Sequence, residues 1–356
     1  MLKQRKSASQ ANDNINAGKT VSRNRVNDMS SAEKLDPSNQ AHNQLSKTEH
    51  NPLYQFYRVI STMQHDPNSL VELVDGGPNT PRYVRKTSSI PQRLRHEASM
   101  MNYATHPAFP HLCDHWQESD RYFLLLEYLN GEPLEQHLLY RARFTETQTL
   151  RVGFALAQAL RFLHEQTPAV IYRDLKPANI ILQDTGRIRV IDLGCAAFAY
   201  PPPTSKYASP IYGAPEIWRG EPQTPACDMY SLGKVLLSML LGSRSSLLTT
   251  DSPNLHILSS TLSSSLLSLL SACMEPIPQN RPSSMEEIED MLLTLLLQSE
   301  SVHPHKNKRY NHVRTVTRSK QNLPMIIFQS LYMTPDHKDK SLTSVVASHT
   351  IRPSFH

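Results

Sequence analysis

The stretch "IYRDLKPANIIL", residues 171–182, decides how the rest of the chain is interpreted. It sets four polar side chains in an apolar frame: Arg173, Asp174, Lys176 and Asn179. An unpaired charge among aliphatic side chains costs several kcal/mol, so such groups persist only where they are paired or hold a ligand. The stretch therefore predicts a loop between two apolar strands that binds something.

A second carboxylate follows in "RVIDLGCA", where Asp192 comes after a short apolar run. The oxygens of Asp174, Asn179 and Asp192 all suit a hard cation such as Mg²⁺. One of the two carboxylates could instead stay free to orient a hydroxyl nucleophile and accept its proton. Phosphoryl transfer needs this positioning together with neutralised phosphate charge, which metal ions and a lysine such as Lys176 supply.

Upstream of the loop, the sequence predicts a small β-rich unit with one helix. Three β-rich runs separated by turn residues predict an antiparallel meander, at residues 54–63, 69–75 and 81–88. A helix is expected from Pro91, and a further strand at 122–129. Lys86 lies near the end of the third run, where it could hold phosphates and pair with Glu97 on the helix.

Helices are expected to dominate both in the segment just before the loop and in the part of the chain that follows the loop and its flanking strands. Thr145 and Gln148 form a capping-box pattern at the start of one helix. Further helices are expected at residues 231–242, 258–274 and 284–298. Residues 1–50 are polar and nearly free of aromatics, which predicts a disordered arm, and 299–356 predict a second, mostly disordered tail with an apolar island at 323–333.

Charge and cysteine content narrow the class of protein. The net charge of +5 comes from the flanks, with 8 basic against 5 acidic residues in 1–50 and 9 against 3 in 300–356. A nucleic-acid-binding domain normally carries its basic excess on the folded part, so we expect no nucleic-acid partner. Besides being disordered, the basic tails could dock to a partner or to an acidic membrane surface. The four cysteines form no CxxC pair, which predicts reduced thiols. No apolar run reaches the roughly 18 residues of a transmembrane helix. Together these observations predict a cytoplasmic protein.

The ordered motifs resemble those of a eukaryotic-type (Hanks-type) Ser/Thr protein kinase, a kind also widespread in bacteria. "YRDLKPAN" resembles the catalytic loop and "DLG" the metal-binding signature. Further matches in family order are "GAPE" at 213–216, "CDMYSLG" at 227–233 and "NRP" at 280–282. The resemblance implies an α+β, bilobal protein-kinase fold over residues 54–298, with a β-rich N-lobe at 54–129 and a mainly helical C-lobe at 130–298.

The resemblance also implies a role for each matching residue. Asp174 would be the catalytic base and Lys176 the γ-phosphate contact, with ATP and Mg²⁺ as cofactors and protein Ser/Thr hydroxyls as acceptors. The nucleotide and its metal would be bound by Lys86, Glu97, Val71, Val84, Glu127, Leu129, Asn179 and Asp192, of which Asn179 and Asp192 are the metal ligands. Leu126 would be the gatekeeper. Scaffold roles fall to Asp228 and to an ion pair of Glu216 with Arg281.

An activating phosphate is expected on the segment between Asp192 and Glu216. An arginine before the catalytic base often binds such a phosphate in this family, and Arg173 has that position. We predict that phosphorylation of Thr204 or Ser205, which autophosphorylation could supply, activates the enzyme.

The resemblance ends at the loop that covers the phosphates of the nucleotide in this family. In the family a glycine-rich loop closes over the nucleotide, but here Gln64, Asp66 and Ser69 occupy the three glycine positions when Val71 is aligned with the motif's valine. Asp66 brings negative charge towards phosphates and Pro67 lacks an N–H, so lower nucleotide affinity is expected.

Three alternatives stay open at this point. The missing glycines leave a kinase-fold scaffold with little turnover. A small-molecule kinase of the aminoglycoside type would share the catalytic Asp and Asn but generally lacks the elements that resemble Glu216, Asp228 and Arg281. Separately, "HLCDH" at 111–115 alternates His111, Cys113 and His115 on one strand face, although no fourth ligand follows at a recognised metal-site spacing.

Overall fold

The computed structural model describes residues 57–140, 143–207, 209–242 and 262–301. The predicted N-terminal arm at 1–50 and the apolar island at 323–333 lie outside these residues, as does nearly all of the predicted C-terminal tail. The predicted α+β architecture is confirmed in the described part of the chain, where a strand-rich part that contains one helix is followed by a mainly helical part.

The elements follow in chain order. The strands are β1 (Arg58–Asp66), β2 (Ser69–Asp75), β3 (Arg82–Ser88), β4 (Leu112–Glu118), β5 (Arg121–Glu127), β6 (Gly131–Pro133), β7 (Val170–Ile171), β8 (Ile180–Gln183), β9 (Ile188–Val190) and β10 (Ala197–Phe198). The helices are α1 (Pro91–Tyr103), α2 (Leu134–Tyr140), α3 (Glu146–His164), α4 (Pro215–Arg219), α5 (Ala226–Leu241), α6 (Ser264–Cys273) and α7 (Met285–Ser301).

The first five strands form one antiparallel sheet in the order β1-β2-β3-β5-β4. The predicted meander of β1 to β3 is present, but its first turn is narrower than expected. The prediction counted residues 64–68 as turn, whereas β1 continues through Asp66 and only Pro67 and Asn68 form the turn. Cross-strand pairing with β2 holds Gln64 to Asp66 extended despite their weak strand propensity.

Helix α1 begins at Pro91 and packs one face on this sheet. Proline suits the first helical turn because it has no N–H to leave unbonded there. The buried positions Leu94, Ala98 and Met101 follow helical spacing, and Glu97 lies among them. A carboxylate on a buried apolar face requires a partner, which the active site provides.

Helices α3, α5 and α7 form the centre of the larger lobe. The predicted capping box at α3 is present: the N–H of Gln148 donates to the Thr145 hydroxyl at 3.3 Å, and the N–H of Thr145 donates to the Gln148 side chain at 2.9 Å. Helix α5 is buried along nearly its whole length. Each leucine or methionine side chain so buried contributes about 1.5–3 kcal/mol.

Two predicted helices differ from the structure at their N-terminal ends. Helix α5 begins at Ala226 rather than 231, directly after Pro225, so Asp228 lies in its first turn. Helix α6 begins at Ser264, because the Ser263 hydroxyl accepts the N–H of Leu266 and caps the helix there. Residues 262 and 263, which the prediction counted as helical, precede it, and 258–261 lie outside the described residues.

The polar loop of residues 172–179 lies between two apolar strands, β7 and β8, as predicted, but the two short sheets to which these strands belong were not predicted. One is ordered β6-β8-β9 and the other pairs β7 with β10. The loop leaves β7, passes through a single 3-10 turn at Pro177–Asn179 and enters β8. Its two ends are therefore fixed by separate sheets.

Candidate active site

The polar side chains of the 172–179 loop are partners of one another. The carboxylate of Asp174 accepts hydrogen bonds from Lys176 Nζ at 2.7 Å and from Asn179 Nδ2 at 3.1 Å. Asn179 Nδ2 also donates to the backbone carbonyl of Asp174 at 2.9 Å. The loop therefore holds one ammonium and one amide within hydrogen-bonding distance of the same carboxylate.

The carboxylate of Asp228 binds the backbone of this loop. This fully buried carboxylate accepts the N–H of Tyr172 at 2.8 Å and the N–H of Arg173 at 2.7 Å, and it contacts Nε2 of His164 at 2.8 Å. Arg173 has a φ of 73°, a left-handed conformation that is costly for a residue with a side chain. The contacts to Asp228 hold it there, as the sequence predicted for this scaffold residue.

Asp192 faces the same region from the end of β9. It too has a φ of 73°, and its Oδ1 accepts the N–H of Gly194 at 3.0 Å. The nearby ammonium of Lys86, 3.7 Å from Oδ1, is the main cause of a pKa below the usual range for this carboxyl. The Tyr172 hydroxyl donates to the carbonyl of Ile191 at 2.5 Å and so links the loop to the residue before Asp192.

The predicted pair of Lys86 and Glu97 is present. Lys86 Nζ lies 2.6 Å from Glu97 Oε1, and the Glu97 side chain is almost fully buried. Burial alone would lower the pKa of the lysine, but the attraction of Glu97 and Asp192 outweighs it and raises the pKa above the ordinary value. Strand β3, helix α1 and the Asp192 turn are thus joined through one charged ammonium group.

The donor set fits Mg²⁺. Asn179 commits its Nδ2 to Asp174, which orients the amide so that its oxygen is the atom able to meet a cation. Asp192 stays ionised because its pKa is lowered, and its side chain is 41% exposed, so it is accessible. Carboxylate and amide oxygens are the ligands that Mg²⁺ prefers. We therefore keep Asn179 and Asp192 as the predicted metal ligands.

The remaining predicted nucleotide contacts lie on or after the central strands. Val84 is directly opposite Leu126 in the β3–β5 pairing, and Val71 is directly opposite Lys86 in the β2–β3 pairing. Glu127 ends β5, and Leu129 follows it, buried in the connection to the larger lobe. Their contact with a nucleotide stays a prediction.

Glu127 has a partner that the sequence did not reveal. The buried guanidinium of Arg189 lies 2.7 Å from Glu127 Oε2 and donates to the carbonyl of Phe109 at 2.8 Å. Burial raises the pKa of Glu127, but hydrogen bonds from Arg189 and from the N–H of His111 more than offset this and lower it. The connection between the lobes is therefore tied to the strand that carries Asp192.

The segment between Asp192 and Glu216 contacts the loop at two points. Ser209 Oγ donates to Asp174 Oδ1 at 2.8 Å, a contact that the sequence did not single out although Ser209 was among the segment's hydroxyls. Arg173 Nη2 donates to Ser205 Oγ at 2.6 Å and to its carbonyl at 3.1 Å. Nε of Arg173 is buried without a partner among the described residues, so this guanidinium can take a further acceptor.

The predicted pair of Glu216 and Arg281 is bidentate and buried. The two distances are 2.6 Å for Nη1 to Oε1 and 2.8 Å for Nη2 to Oε2. Burial raises the pKa of Glu216, but the hydrogen bonds from Arg281 outweigh it and lower the pKa. The pair ties helix α4, at the end of the segment, to the turn before α7.

The three residues at the expected glycine positions bond to one another. Gln64 Nε2 donates to Asp66 Oδ2 at 2.7 Å, and Ser69 Oγ donates to the same oxygen at 3.2 Å. At the hairpin tip, the side-chain donors of Gln64 and Ser69 are thus both bonded to the carboxylate of Asp66. In a glycine loop the same positions would present backbone N–H groups.

Two further expectations concern metals and membranes. In the ranges that the structure describes, no group of three His, Cys, Asp or Glu side chains is placed to hold a metal ion, and His115 Nδ1 instead contacts the Tyr122 hydroxyl at 2.7 Å. Among those same residues, no helix is both long and apolar enough to cross a membrane.

Comparisons with known proteins agree with this geometry. A model of the protein kinase domain matches residues 80–293. The chain is similar to a putative protein kinase C delta type homolog of Drosophila melanogaster, with 37% identity over 140 residues, which are 38% of this chain and 21% of that protein. It is also similar to the probable serine/threonine-protein kinase mkcD of Dictyostelium discoideum, with 31% identity over 212 residues, 56% of this chain and 32% of that protein.

A third relative is a RAC family serine/threonine-protein kinase homolog of Dictyostelium discoideum, with 34% identity over 150 residues, 41% of this chain and 33% of that protein. The chain thus spans 21% to 33% of the length of these three relatives. The matched domain begins at residue 80, so strands β1 and β2 lie before it.

Proposed function

Because the chain belongs to the protein kinase family, we propose that it transfers the γ-phosphate of ATP to Ser or Thr hydroxyls of proteins. One observation carries the proposal: Lys176 and Asn179 both donate hydrogen bonds to the carboxylate of Asp174. Asp192 is joined to this loop because the N–H of the preceding Ile191 donates to the carbonyl of Asn179 at 2.9 Å, and Lys86 of the Lys86–Glu97 pair lies 3.7 Å from Asp192.

In the proposed reaction, Asp174 orients the acceptor hydroxyl and accepts its proton. The hydroxyl oxygen forms the new bond to the γ-phosphorus, the bond to the bridging oxygen breaks, and ADP leaves. Lys176 neutralises charge on the transferred group, and Lys86 holds the phosphates that remain with ADP. Mg²⁺, when held by Asn179 and Asp192, supplies further neutralisation of phosphate charge.

The acceptor class follows from the loop and from the relatives. Lys176, two residues after the base and followed by proline, is the form of the loop that resembles Ser/Thr kinases. The printed names of two of the similar proteins include serine/threonine-protein kinase. We propose the same acceptor class for this chain, and a cytoplasmic location, which its four free cysteines suit.

We further propose that phosphate on Ser205 activates the enzyme, with Thr204 as the neighbouring candidate. Arg173 already contacts the Ser205 hydroxyl, and its Nε is buried without a partner in the described residues. A phosphate there would gain charge-assisted hydrogen bonds from this guanidinium. Because Arg173 precedes Asp174, the phosphate would fix the base through the loop backbone.

The test is phosphate transfer to a generic acceptor protein with Mg-ATP, followed by mass spectrometry to identify the modified residue type. We expect phosphoserine or phosphothreonine, and loss of transfer on addition of a chelator. Asp192→Asn serves as the matched control, because it keeps the shape but weakens the metal ligand. Transfer that is absent in the parent chain, or equal in parent and variant, would overturn the proposal.

A further inference from the structure

Asp66 lies on the same face of the sheet as Lys86. Asp66 is directly opposite Ser69 on β2, and Ser69 is directly opposite Ser88 on β3. Opposite residues of antiparallel strands share a face, and so do residues two apart on one strand, such as Lys86 and Ser88. Asp66 therefore belongs to the row next to that of Lys86, roughly 7 Å further along the strands. This is the face that meets Glu97 and Asp192.

The charge of Asp66 is not neutralised by its neighbours. Its carboxylate accepts hydrogen bonds from Gln64 at 2.7 Å and from Ser69 at 3.2 Å, and both donors are neutral. No ion pair formed between described residues includes it. The side-chain donors of Gln64 and Ser69 are thus bonded to this carboxylate.

The hairpin tip is also tied in place. The carbonyl of Asn68 accepts the N–H of Ser89 at 3.0 Å and the hydroxyl of Ser88 at 3.1 Å. The Ser89 hydroxyl donates to Asn68 Oδ1 at 3.2 Å. These bonds join the tip to the connection between β3 and α1, so the backbone that carries Asp66 is held beside the face of Lys86.

We infer that Asp66 is a specificity-determining residue that lowers nucleotide affinity in proportion to the number of phosphates. The inference rests on the proposed function, since it assumes that phosphates lie between the hairpin and Lys86. A fixed negative charge about 8 Å from a phosphate, in a partly solvated gap, changes affinity by about two- to threefold for each phosphate charge. ATP is therefore penalised most, ADP less and adenosine not at all.

The test measures binding of Mg-ATP, Mg-ADP and adenosine to the full chain and to Asp66→Asn, which removes the charge and keeps the shape. We expect the variant to bind ATP about five- to tenfold more tightly and ADP about two- to threefold more tightly, with adenosine unchanged. Because screening shortens the reach of the charge, these gains should shrink in 1 M salt. Asp120→Asn is the matched control: Asp120 is exposed in the β4–β5 turn, at the other edge of the sheet, and its removal should leave all three affinities unchanged.

Two results would overturn the inference. An equal gain for adenosine would mean that the substitution only loosens the hairpin, and a loss of ATP affinity would mean that Asp66 assists binding. If the parent chain binds no ATP, the appearance of binding in Asp66→Asn supports the inference and its absence contradicts it. A chain that binds the three ligands as expected but transfers no phosphate would contradict the proposed function alone.

Discussion

The polar loop at 172–179 and the β1–β2 hairpin are held in different ways. The loop is mostly buried, and its backbone and side chains are bonded by residues distant in sequence, such as Asp228 and Ser209. Strand β1 is exposed along its whole length, and the carboxylate at the hairpin tip is bonded by residues two and three positions away. The family match includes the loop but begins after the hairpin.

This difference indicates which of the two regions can tolerate a substitution. A buried carboxylate such as Asp174 depends on several partners, so altering one group disturbs the others. An exposed hairpin keeps its cross-strand pairing when its side chains change, because its polar atoms can bond to water. We therefore expect large effects from substitutions in the loop and small effects, confined to ligand affinity, from substitutions in the hairpin.

The largest expected effect comes from Asp174→Asn. Losing the base should lower the rate of phosphate transfer by about 10²- to 10⁴-fold. The amide keeps the shape of the carboxylate, so the affinity for Mg-ATP and the melting temperature should change little. Initial rates and calorimetric binding, measured on the same preparation, separate the two quantities. Transfer at the parent rate would show that another group is the base.

The second prediction compares the effects of Asp228→Ala and Arg58→Ala on the free energy of unfolding. The first leaves the buried N–H groups of Tyr172 and Arg173 without an acceptor, which should lower the free energy of unfolding by about 2–5 kcal/mol. Arg58 pairs with Asp75 on the exposed hairpin, and its side chain is 66% exposed. Its removal should leave the urea midpoint unchanged. Equal shifts in the two variants would mean that the loop is no better anchored than the hairpin.

The third prediction concerns the Arg173–Ser205 contact. If phosphate on Ser205 activates the enzyme, Ser205→Ala should lower activity about tenfold, through the lost charge-assisted bonds. In an Arg173→Gln background the same substitution should have no further effect. Thr204→Ala tests the neighbouring candidate and should lower activity less than Ser205→Ala, because Thr204 has no hydrogen bond to Arg173 among the contacts of the described residues. A full effect of Ser205→Ala in both backgrounds would assign the activation to another group.

Arg189→Gln should change nucleotide affinity more than turnover. Arg189 acts through Glu127 and the carbonyl of Phe109, and touches no reacting group. Without it the lobe connection loses a buried ion pair, so KM for ATP should rise about threefold to tenfold while kcat stays near the parent value. Glu127→Gln, which keeps a hydrogen-bond acceptor, should show the smaller shift of the two. A fall in kcat with unchanged KM would contradict this role.

The sequence predicted the loop well because its signal is local. Polar residues at fixed spacing within an apolar frame identify Asp174, Lys176 and Asn179 without knowledge of the fold. The contacts of Asp174 with Ser209 and of Glu127 with Arg189 join residues 35 and 62 positions apart. A single sequence does not say which distant residues meet, so these contacts could not be predicted. The extension of β1 through Asp66 was missed for a related reason, since pairing with β2 overrides weak local propensity.

The smallest expected effect is that of Ser89→Ala, which removes the side-chain tie between Ser89 and Asn68 Oδ1. The bond is exposed and water can replace it, so the melting temperature and transfer rate should stay at their parent values. Hydrogen exchange at the N–H of Ser69, measured by NMR, should become faster because the tip opens more often. Ser119→Ala in the β4–β5 turn is the control and should leave this exchange rate unchanged. If Ser89→Ala lowers the transfer rate substantially, the hairpin is coupled to the chemistry as tightly as the loop, and the contrast between the two regions does not hold.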